Sequence, residues 1–312
     1  MVFAILFLAG CGDGIDLPGV NVETDLNKIP LPDNNVNLEQ VELKPSTEPM
    51  LHEGLHTEED FQRIRDKKAA GEEPWVSAYQ LLVESQFSQK TADTYPTEWI
   101  KRGVSGDENY MNAARGATIV YQQALRWKIE QDDEYAAKAV ENLNKWVQTC
   151  VGVTGNTNLS LAAGLYGYEF AIAGELLRDY EGWDRADFAA FQNWLLKVFY
   201  PANDDFLKRH HDTNALHYWA NWCLCNIAAK MAIGIVTDRR DIYNEGIAHL
   251  QTGDTNGRLR RAIYHDYAPD YNFAQWQESG RDQGHTLMCV GLMGVICQLA
   301  WSQGDDFFAY DD

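Results

Sequence analysis

The stretch "GNTNLSLAAGLYGYEFAIAGELL", residues 155–177, decides the fold class. Leu161, Leu165, Tyr168, Ile172 and Leu176 recur three or four residues apart, the spacing that brings side chains onto one face of a helix. Asn156 and Asn158 stand just ahead of that stripe, where asparagine is favoured as a helix N-cap. The same period returns in Ala117, Val120, Tyr121, Ala124 and Trp127, then in Tyr135, Ala139, Leu143 and Trp146, and again in Phe188, Phe191, Leu195 and Val198. Further helices are expected over 218–236, 239–250 and 283–301. Thr57 with Asp60 three residues on gives a capping-box start. No run of period-two alternation long enough for a sheet appears.

The chain is therefore all-α. Helix starts recur roughly every 25 residues, so helical hairpins of roughly 50 residues repeat without sequence identity between them. Hairpins stacked around an axis give an α/α toroid, an incomplete barrel with a groove at one end. A superhelix of the tetratricopeptide type is the structural competitor.

A length of 312 residues allows a substantial core. With 26 basic against 46 acidic side chains, the formal net charge is -20, which argues against a nucleic-acid partner. An anionic substrate stays open, because a few arginines in a cleft set the local potential.

The N-terminal "MVFAILFLAGC" is too short an apolar run to span a bilayer, and its end resembles a lipobox. This predicts a signal peptide over 1–11, with Cys11 lipidated, an outer-membrane lipoprotein facing the cell surface or the periplasm, and membrane contact through the lipid alone. The proline-broken stretch 12–50 reads as an extended tether, and 51–312 as the toroid, ending earlier than a full toroid requires. Cys150, Cys223, Cys225, Cys289 and Cys297 have no framework spacing and read as buried thiols.

Chemistry-bearing residues gather in four places. One is Asn156 and Asn158. The second, "RHHDTNALHYWANW", holds His210, His211, His217, Tyr218, Trp219 and Trp222; the two tryptophans read as core. The third, "RLRRAIYHDYAPD", holds Arg261 and Tyr267, with Tyr264 and Tyr271 as alternatives. The fourth, "QWQESGRDQGHT", holds Gln275, Glu278, Arg281, Asp282 and His285. Adjacent His210 and His211, with no HxxxH spacing, do not make a metal site. No GxSxG, phosphate loop or HExxH occurs.

Asparagine, histidine and arginine aimed at a uronate carboxylate would stabilise the charge that builds when the C5 proton leaves. A tyrosine whose pKa an arginine lowers could take that proton and return it to the leaving oxygen; on the opposite face a histidine would abstract it. The product is that of β-elimination, with no cofactor and no catalytic metal.

"HYWANWCLCNIAAKMAIGIVTDRRDIY" and "QWQESGRDQGHTLMCVGLMGVICQLAWSQGDDFFAYDD" resemble the alginate-lyase-type polyuronate lyases, "ESGRDQGHT" being the most specific piece. The resemblance runs from about Arg115 to the end. It implies an α/α toroid and a monomeric lyase acting on alginate or a related polyuronate such as glucuronan. "RRAIYHDYA" is similar to the Arg and Tyr motif of a second alginate-lyase family. This implies Tyr267 as acid/base and Arg261 as its partner, His211 (or His210 or His217) as the histidine, and Asn158 or Asn156 as the carboxylate ligand. Arg115, Tyr218, Gln275, Arg281 and His285 are expected at substrate subsites. An α/α-barrel glycoside hydrolase acting on uronate oligosaccharides, or a glycan-binding lipoprotein without activity, would carry many of the same features.

Overall fold

The computed structural model describes residues 41–266 and 274–309. Cys11 and the whole of the signal peptide, Tyr267 and Tyr271 lie outside them. Eleven α-helices carry the described chain: α1 (Glu58–Ala69), α2 (Trp75–Glu84), α3 (Tyr110–Glu130), α4 (Asp133–Thr149), α5 (Leu159–Leu176), α6 (Arg185–Val198), α7 (Tyr200–Arg209), α8 (Ala220–Val236), α9 (Arg240–Thr252), the single turn α10 (Leu259–Ala262) and α11 (Gln283–Ser302). The capping box at α1 is present, Thr57 Oγ1 accepting from the Asp60 amide and the Asp60 carboxylate accepting from the Thr57 amide.

Helices alternate between two layers. In α5 every residue except Leu159 and Leu165 is buried, and in α8 every residue except Trp222. Helices apolar on all sides belong inside. α8 packs on α5, α7, α9 and α11, and α5 on α3. α3, α5, α8 and α11 form the inner layer, while α4, α6 and α9 lie outside and present one apolar face inward. A small residue sets the approach of α5 to α8. A Cβ at Gly164 would come within 2.5 Å of Cys225 Sγ and 2.9 Å of the Cys225 backbone.

Between the layers sits an aromatic cluster. Phe170 of α5 meets Trp146 at 5.4 Å, Trp194 at 5.2 Å and Phe199 at 6.1 Å. Trp146 and Phe170 are fully buried, so truncating either would cost about 3–5 kcal/mol. α11 is long and apolar enough to cross a membrane. It packs on α8 with Cys289, Leu292, Ile296 and Leu299 buried.

Two small ladders lie among the loops. β1 (Trp99–Arg102) pairs in parallel with β2 (Gly152–Gly155), and β3 (Ile263–Asp266) pairs antiparallel with β4 (Ala274–Trp276). At three or four residues each they were too short to show as alternation. The segment 41–50, read from sequence as the end of a tether, is instead fastened to the outer layer. Gln251 Nε2 donates to the Val41 carbonyl, Asn244 Nδ2 to that of Lys44, and Arg240 to those of Glu48 and Pro49. Prolines keep this stretch out of a helix, but side chains of α9 satisfy its carbonyls and Met50 is buried.

Candidate functional site

The inner helices run in the same direction. Gly164, one turn into α5, faces Cys225, one turn into α8, and Tyr121 of α3 lies beside Glu169 at the same depth in α5. Their N-termini therefore open at one end. Unpaired amide groups and the helix dipoles make such an end favourable to anions.

Ser160, in the first turn of α5, meets His211 there, with Oγ and Nε2 3.0 Å apart. His211 reaches it from a sharp reversal after α7. His210, His211 and Asp212 have φ of 48°, 53° and 60°, three successive left-handed residues without a glycine. Each such residue costs about 1–2 kcal/mol, so the surroundings must hold it. Thr213 donates its amide and its hydroxyl to the His210 carbonyl, and Arg209 bridges to Asp212 at 3.0 Å. Phe206 fills the inside of the turn, 5.0 Å from the ring of His210 and 5.5 Å from that of His211.

The two histidines differ in surroundings. His210 is buried, its Nε2 3.7 Å from Cys223 Sγ, and burial followed by the neighbouring His211 lowers its pKa. Cys223 is fully enclosed, and burial pushes its thiol up to about 11. His211, half-buried, touches Ser160 and stacks edge-on to Tyr218 at 5.7 Å. Tyr218 also meets His217 at 4.9 Å and Trp222 at 4.7 Å. Burial raises the Tyr218 pKa. Trp222 is half-buried at the edge of this cluster, a partial departure from the core role expected of it.

Asn156 and Asn158 sit on the turn into α5. Asn156 Oδ1 accepts from the Asn158 amide and side chain, both at 2.9 Å, and Asn158 is the N-cap residue without a capping bond of its own. Asn156 also lies against Gly103, where a Cβ would fall 1.9 Å from its Oδ1. The β1–β2 ladder makes this approach, since Arg102 pairs with Gly155.

Arg261 joins from the far side. Gln277 accepts from the Ala220 amide at 3.1 Å and donates to the Arg261 carbonyl at 2.7 Å, tying α10 to the start of α8. The Arg261 guanidinium pairs with exposed Asp254 at 2.9 Å through Nη2, while its buried Nη1 has no acceptor. Gln275 lies on β4 opposite His265. At the head of α11, Asp282 accepts from the His285 amide at 2.8 Å and holds His285 Nδ1 at 2.6 Å. The His285 amide, followed by its ring, lowers the Asp282 pKa. Glu278, at φ 64°, accepts from Arg281 at 2.7 Å; burial nonetheless raises its pKa.

The structure thus gathers His210, His211 and His217 around Tyr218, joins them through Ser160 to the helix start that carries Asn156 and Asn158, and links Arg261 through Gln277. Arg281 is engaged by Glu278, and Arg115 stands apart: it lines a hollow of about 300 Å³ with Thr91, Tyr95 and Asn112, none of which belongs to the cluster. Among the described residues, no three His, Cys, Asp or Glu side chains converge as metal ligands. Sequence reasoning missed Ser160, which its place four residues after Asn156 could have suggested, and Arg102, which nothing in its local sequence marks.

Solved structures share this architecture. Alginate lyase A1-III, as a histidine-to-alanine variant complexed with tetrasaccharide, matches with a TM-score of 0.62 at 13% identity, covering 81% of this chain and 70% of that one. Its tyrosine-to-phenylalanine variant complexed with tetrasaccharide gives 0.57 at 13% identity, over 81% and 71%. An alginate lyase from Bacteroides ovatus gives 0.54 at 14% identity, over 82% and 77%. No curated protein sequence matches the chain. An α/α toroid of this kind, read together with the family assignment, defines a polysaccharide lyase. The alginate lyase family profile matches residues 64–312, and the chain belongs to that family.

Proposed function

We propose that the protein cleaves a polyuronate, alginate or glucuronan, by β-elimination at the end of the toroid where the inner helices begin. The observation that carries this reading is the juxtaposition of His211, Ser160 and the Asn156–Asn158 turn at the N-terminus of α5. Asn158 and Asn156 offer side-chain amides to the carboxylate of the sugar at the cleavage point, and the helix end adds its partial positive charge. His211, on the same side, neutralises the carboxylate or takes the C5 proton, with His210 and His217 behind it. Tyr267 serves as acid and base, and Arg261, with its unpaired Nη1, favours its phenolate. The electron pair freed at C5 forms the C4–C5 double bond as the C4–oxygen bond breaks, and the proton passes to the leaving oxygen. A histidine and a tyrosine are the residues replaced in the two tetrasaccharide-bound neighbours, which supports giving these two residue types the central roles. His285, Arg281, Gln275, Tyr218 and Arg115 are assigned to flanking subsites.

The test is absorbance of the unsaturated uronate during incubation with polymannuronate, polyguluronate and glucuronan, with chelator present. Tyr267→Phe and His211→Ala should each lose the signal while keeping the fold. A flat trace for the wild-type protein on all three polymers overturns the reading. We further propose that the segment ahead of Cys11 is removed, that Cys11 becomes the lipidated first residue, and that the monomeric enzyme is anchored at the outer membrane. Fatty-acid labelling retained in Cys11→Ala would overturn that.

A further inference from the structure

Five cationic side chains are buried among the described residues: Arg102, Arg126, Arg178, Lys230 and Arg240. Four have acceptors. Arg126 bonds Glu130, Tyr135 and Ser88; Arg178 bonds Glu175; Lys230 lies 2.8 Å from Asp204; Arg240 bonds the Glu48 and Pro49 carbonyls. Arg102 is the exception. It is 7% exposed, its Nη1 has no acceptor, and its guanidinium lies 4.7 Å over the ring of Tyr110. A ring face gives a cation modest compensation, whereas an unpaired buried charge carries a large desolvation cost. In a chain with 46 acidic residues a partner was readily available, and among the described residues none is placed there.

The location gives the unmet demand a meaning. Arg102 ends β1 opposite Gly155, the residue before Asn156, and the next residue, Gly103, is pressed by the Asn156 side chain. Tyr110, beneath the guanidinium, opens α3, so Arg102 stands at the same anion-favouring end as the helix starts of α5 and α8. A polyuronate carries a carboxylate on every sugar, so a carboxylate held by the asparagines at the cleavage point has neighbours on both sides.

We propose that Arg102 binds the carboxylate of a sugar adjacent to the one held by Asn156 and Asn158, which makes it a charge-selecting residue of the lyase site; this rests on the polyuronate reading above. The guanidinium offers a planar pair of N–H donors that matches a carboxylate. Among the described residues it has no hydrogen bond to surrender when it turns from the Tyr110 face to the ligand.

The experiment compares wild type with Arg102→Gln on polymannuronate and glucuronan oligosaccharides and on the same oligosaccharides with carboxyls reduced to alcohols. Calorimetric Kd, KM and kcat are measured together with Tm. Expected is a rise in Kd and KM of about tenfold or more for the charged oligosaccharides, with kcat little changed and binding of the reduced ones unaltered. Equal affinity in wild type and variant, or an equal loss for charged and reduced ligands, overturns the proposal. If Arg102→Gln does not fold, the guanidinium resonance of Arg102 in the wild-type protein decides. It should shift on addition of the charged oligosaccharide and stay in place with the reduced one; no shift overturns the proposal. Absence of an unsaturated product with wild type defeats the lyase reading alone, because binding still reports on Arg102. Absence of both product and binding defeats both.

Discussion

Nε2 of His211 and Oγ of Ser160 stand 3.0 Å apart, and this contact joins the left-handed turn after α7 to the first turn of α5. The turn is strained by three successive residues of positive φ, so the ring depends on its contacts for its direction. Ser160→Ala should lower kcat about ten- to a hundredfold by loosening His211, while costing only about 1 kcal/mol of stability. An unchanged kcat, measured by product absorbance, would show that Ser160 does not position the histidine.

Gly103 and Gly106 have almost the same positive φ, 77° and 75°, but different surroundings. A Cβ at Gly103 strikes Asn156, whereas one at Gly106 meets nothing within 4 Å. Gly106→Ala should therefore cost about 1 kcal/mol through backbone strain alone and leave KM intact. Gly103→Ala should be less stable than that and also raise KM, because it displaces the asparagine turn. Equal KM values for the two variants would count against a role for Asn156 in binding.

Glu169 is buried in α5 with no hydrogen-bond partner for either carboxyl oxygen; Tyr168 lies beside it without meeting hydrogen-bond geometry. Burial raises its pKa well above the ordinary range. As pH rises past that range the unfolded chain loses this proton and the folded chain keeps it, so stability falls with rising pH. Glu169→Gln should match wild type near pH 4 and be the more stable at neutral pH. The gap should widen by up to about 1.4 kcal/mol per pH unit until the folded group ionises. Urea midpoints measured across pH would reveal it, and a constant gap would contradict it.

His56 and His249 act in the opposite sense. Burial lowers both to about 4. His56 Nε2 lies 2.6 Å from the Tyr121 hydroxyl, so the buried neutral ring has a hydrogen-bond partner. The unfolded chain takes up protons near pH 6.5 and the folded chain near 4, so stability is lost as pH falls through that window. Each histidine should remove on the order of 3 kcal/mol. Replacing both with glutamine should flatten the acid limb of the stability profile, and an unaltered limb would refute the assignment.

Much of the architecture was legible in the chain. The three-and-four spacing in α5, the capping box at Thr57 and the family-like "ESGRDQGHT" read correctly because helical periodicity, caps and motifs are local. The four strands were not legible, since three or four residues cannot display an alternation. The fastening of 41–50 was also hidden, because its partners, Arg240, Asn244 and Gln251, lie about two hundred residues away.

The site divides along the same line. By itself the sequence determined that asparagines precede an inner helix, that histidines cluster after α7, and that arginines precede a tyrosine. These are matters of residue type and order. Only the tertiary structure decided that His211 rather than His210 reaches Ser160, that Cys223 closes off His210, and that Arg102 alone among the buried cations of the described chain lacks an acceptor. Each of these depends on which side chain consumes which hydrogen-bonding group across long sequence separations, and on parallel inner helices that bring their N-termini to one end. Pairing and burial belong to the folded arrangement as a whole, so no local window of sequence carries them.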